Sequence, residues 1–171
     1  GAKKDIAKEL EFLEGTLFFD CMGKRAESCL YAAVFGCPES ISIECYEPFV
    51  ERAKLLIRAH CPYDKQIFLQ EGCFQDYFRY DATIIYINCT ELVSNADYCD
   101  EGVVLLKFFE MCSKCLPGTH CVVVTYNEIF HPANDFGADL IRIDYKSSIC
   151  RHTSDECYVY ICKVLSDMGH A

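Results

Sequence analysis

The chain has 171 residues, of which 51% are apolar and 25% are charged, and its formal net charge is −10. This composition excludes disordered, collagen-like and coiled-coil proteins and favours a globular fold with a core of its own. The negative charge argues against a nucleic-acid partner, because phosphate backbones are bound by Lys and Arg. No apolar run approaches the roughly 20 residues that a membrane helix needs, so we expect no membrane partner either.

The cysteines and the first residues bear on the cellular compartment. Residues Gly1–Asp5 contain no apolar secretion signal. The 14 cysteines are scattered among apolar residues, as expected of small buried side chains rather than of a disulfide framework. We therefore expect a cytoplasmic or nuclear protein.

Apolar runs and helical patterns alternate along the first two thirds of the chain. Strands are predicted at Leu17–Phe19, Ile41–Ile43, Ile67–Leu69, Ala82–Ile87 and Cys121–Tyr126. Helices are predicted over residues 26–36, 48–59 and 102–116, with apolar faces formed in the second by Phe49, Ala53, Leu56 and Ile57, and in the third by Val104, Phe108, Met111 and Cys115. This alternation predicts an α/β fold with parallel strands.

The last third differs, because Asp139–Tyr145 and Cys157–Val164 are strand-like with no helical pattern between them. Their connection, Lys146–Glu156, is too short for a helical crossover, so an antiparallel hairpin is predicted. The chain contains no linker or internal repeat, and we expect one domain over residues 1–171.

Polar residues follow the predicted strands where ligands of open α/β sheets bind. Asp20 ends the first strand, Glu44 ends the second, and Asn88 ends the fourth. An acidic residue at the end of the second strand can accept hydrogen bonds from ribose hydroxyls. The same residues also suit local roles, with Asp20 capping a turn, Glu44 as a solvated strand end and Asn88 bonding nearby backbone.

Five motifs succeed one another in the order found in class I S-adenosylmethionine-dependent methyltransferases, which the chain resembles. They are Leu17–Asp20, Ile43–Glu44 with Pro48–Ile57, Glu71–Phe74, Ile85–Asn88 and Leu116–Thr119. Within that superfamily the chain is most similar to the core of Dot-type (disruptor of telomeric silencing) histone-lysine methyltransferases, on the segments Glu47–Ala53, Gly72–Phe74, Tyr86–Asn88 and Tyr158–Ile161. The resemblance implies a Rossmann-like fold with a mostly parallel seven-stranded sheet and a C-terminal antiparallel hairpin.

The resemblance also implies a set of residues at the cofactor S-adenosylmethionine: Asp20, Gly23, Glu44, Cys73, Phe74 and Asn88. Asp20 and Gly23 would face its methionine moiety, and Glu44 would bind its ribose. Cys73 would lie at the adenine amino group, and Phe74 would stack on the adenine unless it belongs to the core. Asn88 would border the methyl-transfer channel as the catalytic residue.

The chain departs from the family at the turn after the first strand. In register with Asp20, Met22, Lys24 and Ala26 occupy the positions of the family's three glycines, and Gly23 is out of register. Cys73 replaces the usual acidic residue. We therefore predict a methyltransferase-like protein, acting on a protein lysine or another acceptor, with weakened or lost cofactor binding.

The alternative is a noncatalytic methyltransferase-fold scaffold or partner-binding subunit. Tyr77, Phe78 and Tyr80 would then form part of an interface, or belong to the core. The sequence does not define the oligomeric state.

Two smaller motifs have competing interpretations. Cys112 and Cys115 form a single CxxC that could be half a zinc site, completed by Cys99, His120 or Cys121, or a redox pair. We predict no metal site, because Cys115 belongs to an apolar helix face. Lys24-Arg25 could bind phosphate but more often such a pair is an exposed turn.

Overall fold

The structure, a computed structural model, describes residues 12, 14–90, 101–126, 143–152 and 155–166, with the backbone alone over 143–152 and 155–156. The strands in these residues are β1 (Leu17–Asp20), β2 (Glu39–Glu44), β3 (Gln66–Glu71), β4 (Ile84–Asn88), β5 (His120–Thr125), β6 (Ile143–His152) and β7 (Asp155–Val164). The helices are α1 (Glu27–Val34), α2 (Glu47–His60), α3 (Phe74–Tyr77) and α4 (Glu101–Cys112).

The chain divides into two compact units, Gly1–Ile87 and Asn88–Ala171. In the first unit the strand order is β3-β2-β1-β4. Its strands are parallel, and Phe19 of β1 lies opposite Ile41 of β2 and Ile85 of β4. Phe19, Ile43 and Ile85 are fully buried and form the centre of this unit's core. The carboxyl ends of these strands therefore meet at one edge, where the predicted site residues begin.

In the second unit the order is β5-β7-β6, and β7 pairs antiparallel with both neighbours. Val123 and Tyr160, which are opposite each other in the β5–β7 pair, are buried. The fold is thus Rossmann-like, with a mostly parallel sheet and a C-terminal antiparallel hairpin, which confirms the predicted fold class.

The hairpin differs from the prediction in the length of its connection. Its ladder continues to the pair His152–Asp155, so most of the predicted connection Lys146–Glu156 belongs to the strands. Main-chain hydrogen bonds sustain an antiparallel pair even where the side chains are polar, and hydropathy alone therefore underestimated the strands. Residues 139–142 of the predicted strand lie outside the described residues.

Helix α2 shows how the sequence sets a helix end and a buried face. Pro48 lies in its first turn, where the missing N–H costs no hydrogen bond. The buried residues are Val50 and Ala53, whereas the predicted face had omitted Val50. Phe49, Leu56 and Ile57 are half-buried, and the remaining side chains of the helix are exposed.

Helix α4 ends at Cys112, before the predicted end at residue 116. The N–H groups of Lys114 and Cys115 bond to the carbonyls of Met111 and Cys112, and these tight i to i+3 bonds form a turn ahead of Pro117. Across the described part of the chain, no helix has the length and apolar character required to cross a membrane.

Candidate cofactor site

The loop after β1 is bonded to the neighbouring strands along its length. Asp20 is buried, with 1% of its surface exposed, and its Oδ1 accepts the Met22 N–H at 3.1 Å. The Gly23 N–H donates to the Ile43 carbonyl of β2 at 2.7 Å, and the Gly23 carbonyl accepts the Ala26 N–H at 2.7 Å. Asp20 thus holds a turn, as its local interpretation expected, at the position predicted to face the methionine moiety.

Two residues of this loop have the left-handed conformation that usually requires glycine. Lys24 has φ of 51° and Ala26 has φ of 62°, the only positive values at non-glycine residues in the described ranges. These are the second and third positions at which the family has glycine. A side chain in this conformation costs about 1 to 2 kcal/mol per residue. The loop therefore keeps a glycine-type backbone without the glycines.

The side chains at the substituted positions differ in their surroundings. Ala26 is completely buried, so its methyl group packs within the protein. Met22 and Lys24 are half-buried. Of the three side chains at the family's glycine positions, only those of Met22 and Lys24 are therefore exposed enough to meet a ligand.

Gly23 has a packing role that the sequence did not indicate. A Cβ atom added at Gly23 would lie 1.7 Å from the Oγ of Ser42 in β2. Real Cβ atoms essentially never come this close to another heavy atom, so only glycine lets the loop approach the strand. Its predicted contact with the cofactor stays a prediction.

Glu44 ties the loop to the start of α2. Its side chain is buried, with 7% of the residue exposed. Its Oε1 accepts the Lys24 N–H at 2.8 Å, and its Oε2 accepts the Tyr46 N–H at 2.8 Å. The interpretation of Glu44 as a solvated strand end is therefore wrong. The carboxylate lies where a ribose-binding residue is predicted, but each of its oxygens already accepts a hydrogen bond.

The turn after β3 joins the same cluster through the backbone of Glu44. The Gly72 N–H donates to the Glu44 carbonyl at 2.9 Å. Next to it, the Cys73 side chain is exposed, whereas Phe74 is buried as the first residue of α3. Burial of Phe74 agrees with its interpretation as a core residue, and stacking on adenine stays a prediction.

Sequence reasoning missed Tyr46, an aromatic residue at this edge of the sheet. Tyr46 is 55% exposed, and its ring packs edge-to-face on Phe49, with ring centroids 4.9 Å apart. The Tyr46 backbone N–H bonds to the Glu44 carboxylate, so the residue is held at this edge through its main chain. The signal in the sequence was an aromatic residue two positions after the acidic end of a strand.

Asn88 belongs to the second unit. Its Oδ1 accepts the Thr90 N–H at 3.0 Å and the Thr90 hydroxyl at 2.6 Å. The side-chain oxygen therefore serves a local turn, as one interpretation of the sequence held. Hydrogen bonds bring Asp20, Gly23, Glu44 and the Gly72–Cys73 turn together in the first unit, whereas the catalytic role of Asn88 stays a prediction.

The CxxC cysteines lie in apolar surroundings. Cys112 and Cys115 are buried, and the Cys115 thiol points at the Met111 carbonyl, with 3.8 Å between sulfur and oxygen. Cys121 is also buried, and Cys99 lies outside the described residues. No group of three or more metal-binding side chains occurs in the part of the chain that the structure describes.

The paired basic residues and the aromatic cluster have defined environments. The Arg25 Nε lies 2.7 Å from the Glu27 carboxylate, and its guanidinium lies 5.7 Å from the ring centroid of Phe49. Arg25 therefore makes local contacts at the protein surface.

The three aromatic residues assigned to an interface or to the core differ in burial. Phe78 is half-buried, with its ring centroid 5.4 Å from that of Phe19, whereas Tyr77 and Tyr80 are exposed.

Comparisons with known proteins identify the fold. No protein-family model matches the chain, and no curated protein matches it. Among solved structures, it is similar to an rRNA methylase from Streptococcus thermophilus, with a TM-score of 0.67 and 9% identity over 96% of this chain and 95% of that chain. It is also similar to the m1A22 tRNA methyltransferase of B. subtilis, with a TM-score of 0.70 and 14% identity over 95% of this chain and 64% of that chain.

A methyltransferase from Pyrococcus furiosus is similar to the same extent, with a TM-score of 0.69 and 13% identity over 96% of this chain and 83% of that chain. The chain thus spans less than two thirds of the B. subtilis enzyme. These structures give no support to a special likeness to Dot-type enzymes. They show that the chain has the fold of the class I S-adenosylmethionine-dependent methyltransferases.

Proposed function

We propose that this chain is an S-adenosylmethionine-dependent methyltransferase-like protein whose cofactor site persists in weakened form. The observation that carries the proposal is the left-handed backbone at Lys24 and Ala26, next to the buried carboxylate of Glu44. Backbone strain of this kind is concentrated at ligand-binding sites, since elsewhere it lowers the stability of the folded state and serves no function. The strain at this loop therefore favours a ligand site over a structural turn.

Two features support weakened binding. The ribose hydroxyls would have to share the Glu44 oxygens with the N–H groups of Lys24 and Tyr46. The exposed Cys73 offers no carboxylate to the adenine amino group. A hydrogen bond to a charged group contributes about 1.5 to 3 kcal/mol, and each 1.4 kcal/mol or so is tenfold in affinity.

When bound, S-adenosylmethionine would supply a methyl group already activated for transfer. The residues of this chain that fit it are Glu44, for the ribose, and the loop from Asp20 to Ala26, for the methionine moiety. Asn88 is proposed to orient the acceptor. The matched S. thermophilus and B. subtilis proteins are named for rRNA and tRNA as substrates. The net charge of −10 opposes a polyanionic acceptor here, so we propose a protein lysine in the cytoplasm or nucleus.

A second candidate function is a noncatalytic partner-binding domain. It is favoured by the two backbone N–H groups that donate to the Glu44 carboxylate. Through these hydrogen bonds Glu44 connects the loop after β1 to the start of α2. In that case Glu44 stabilises the fold and has no ligand.

Calorimetric titration with S-adenosylmethionine and S-adenosylhomocysteine tests the proposal. We expect weak binding to the wild-type chain and binding at least tenfold tighter to the triple variant Met22→Gly/Lys24→Gly/Ala26→Gly. The glycines remove the Met22 and Lys24 side chains, so that the backbone can approach the cofactor with no Cβ in the way. Glu44→Gln in the triple variant is the matched control, and it should reverse the gain because it weakens the acceptor for the ribose hydroxyls.

The outcomes separate the candidates. If the triple variant binds no better than wild type and neither binds measurably, the noncatalytic function replaces the first proposal. If wild type binds tightly and Glu44→Gln has no effect, the site assigned here is wrong. Labelled methyl transfer from S-adenosylmethionine to RNA, with none to protein, would overturn the proposed acceptor.

A further inference from the structure

Strand β3 is an edge strand in the first unit, and its outer side carries no strand in the described residues. It spans Gln66–Glu71 and pairs in parallel with β2 on one side only. Edge strands expose backbone N–H and C=O groups that can pair with another chain, and proteins commonly protect them with Lys, Pro or a bulge. The sequence of β3, Gln-Ile-Phe-Leu-Gln-Glu, contains neither Lys nor Pro.

A groove of about 420 Å³ adjoins this edge. Its floor is apolar, with Ile41 and Ile43 of β2 buried at its base and Phe68 of β3 exposed over 49% of its surface. Tyr77, also exposed, lines the groove. Phe68 is opposite Ile41 in the β2–β3 register, so the groove runs along the sheet surface beside the open edge.

Among the described residues, little structure covers the groove. The connection from β3 to β4 spans residues 72–83, and its only helix is the four-residue α3. Glycine is favoured at position 72, at the start of this connection, because its φ is 141° and a Cβ there would lie 2.5 Å from the Tyr77 ring. Gly72 thus lets the backbone pass close to the Tyr77 ring at the groove wall.

The charges around the groove favour a basic occupant. Arg79, a cation in its lining, is engaged by Asp81 through two hydrogen bonds of 2.8 Å. Glu39 lines the groove, while Glu71 at the end of β3 and Asp76 in α3 are exposed. None of these three carboxylates forms a salt bridge within the described ranges, although Glu39 interacts through its charge with Arg79 and Glu71 with Lys54. A second copy of this chain would bring another acidic surface to the same edge, whereas a basic segment would neutralise it.

We propose that β3 and the adjoining groove are a docking site for an extended basic segment of a partner protein, which adds a strand to the edge of the sheet. Main-chain hydrogen bonds to β3 supply affinity in this mode, and pockets for alternate side chains supply specificity. Apolar side chains of the segment would lie on Phe68 and Tyr77. Because side chains of a strand alternate between the two faces of a sheet, its Lys or Arg residues would lie on the opposite face, where Glu71 lies. This inference is independent of cofactor binding.

The probe is a synthetic eight-residue peptide in which Lys alternates with Val and Phe, and the control peptide has Glu in place of Lys. Binding to the full chain is measured by fluorescence anisotropy, and the site is mapped from amide chemical-shift changes. We expect the basic peptide to bind, the acidic one not to bind, and the shifts to cluster in β2, β3 and α3. The affinity should fall as salt is raised, since salt screens the charge attraction.

Phe68→Lys should lower the affinity at least tenfold, because it puts a cation at the centre of the site. Val34→Lys is the matched control, since Val34 is exposed on α1 and does not line the groove. Asp76→Lys replaces an exposed carboxylate by a cation and leaves β3 unchanged. It therefore tests whether charge attraction contributes to the affinity for the basic peptide. Absence of binding to wild type, or equal binding to wild type and Phe68→Lys, would overturn the proposal. If the wild-type chain self-associates and Phe68→Lys abolishes this, the occupant of the site is a second copy of this chain and the proposed basic segment is wrong.

Discussion

At the scale of single residues, the backbone at Lys24 leads to a stability prediction. Replacing Lys24 by Gly or by Ala removes the same side-chain functional group, but only Gly relieves the positive φ. Lys24→Gly should therefore be more stable than Lys24→Ala by about 1 kcal/mol. The measurement is the free energy of unfolding of both variants in urea.

Lys114 provides the control for this comparison. It lies in the turn after α4, where its φ is not positive. There the usual flexibility of glycine in the unfolded chain should make Lys114→Gly less stable than Lys114→Ala, by about 0.5 to 1 kcal/mol. The same sign at both positions would contradict the strain inferred at Lys24.

The contact between Gly23 and Ser42 leads to a second residue-level prediction. Gly23→Ala places a methyl group 1.7 Å from the Ser42 hydroxyl oxygen and 3.0 Å from its Cβ, so loop or strand must move. We expect a loss of about 1 to 3 kcal/mol in the free energy of unfolding, typical of overpacking. A double-mutant cycle with Ser42→Gly measures the coupling between the two positions, and in that background the loss should be less than half. An unchanged loss would place the clash elsewhere.

At the scale of elements, apolar runs located the strands because buried parallel strands are apolar on both faces. They gave β2 as Ile41–Ile43, whereas the strand extends over Glu39–Glu44. The omitted Ser40 is completely buried, and its hydroxyl lies 3.8 Å from the Cys37 sulfur. Small polar residues can be core residues when packing and local hydrogen bonds accommodate them, and a hydropathy pattern does not show this.

The residues of the candidate site could be predicted from the sequence, but the hydrogen bonds that join them could not. Parallel strands end at one edge, so Asp20 and Glu44 could be placed there from the order of the strands alone. The hydrogen bond from the Lys24 N–H to Glu44 joins residues 20 apart in sequence and depends on the path of the loop. That path has positive φ at Lys24 and Ala26, which no propensity rule expects of these residue types.

The exposed edge of β3 could likewise not be predicted from the sequence of the strand alone. The sequence of residues 67–69 identifies a strand, but only the topology shows that it lies at an edge beside a groove. The tyrosines that the sequence could assign equally to core or interface are exposed, and Tyr77 lines that groove. Interaction surfaces depend on which elements remain uncovered, and this is a property of the assembled sheet rather than of any one segment.

At the scale of the whole molecule, the buried cysteines lead to a prediction of how the free energy of unfolding depends on pH. Burial raises the pKa of the Cys29 thiol well above its ordinary value, and the negative charge of Asp20 adds to this effect. Burial also raises the pKa of Cys37. In the unfolded chain both thiols ionise near pH 8.5 or so, whereas in the folded chain they stay protonated to higher pH. Above that pH the unfolded state therefore binds fewer protons than the folded state.

Stability should consequently be constant with respect to these groups below about pH 8 and fall as the pH rises further, by up to about 1.4 kcal/mol per pH unit for each thiol. The measurement is the free energy of urea unfolding at pH 7, 8.5 and 10 in a reducing buffer. Cys29→Ala should be less stable than wild type at pH 7, because it leaves a cavity, but its stability should fall less steeply above pH 8.5. Val50→Ala, which also truncates a buried side chain, should lower stability and keep the wild-type slope. Equal slopes for Cys29→Ala and Val50→Ala would mean that Cys29 does not control the alkaline loss of stability.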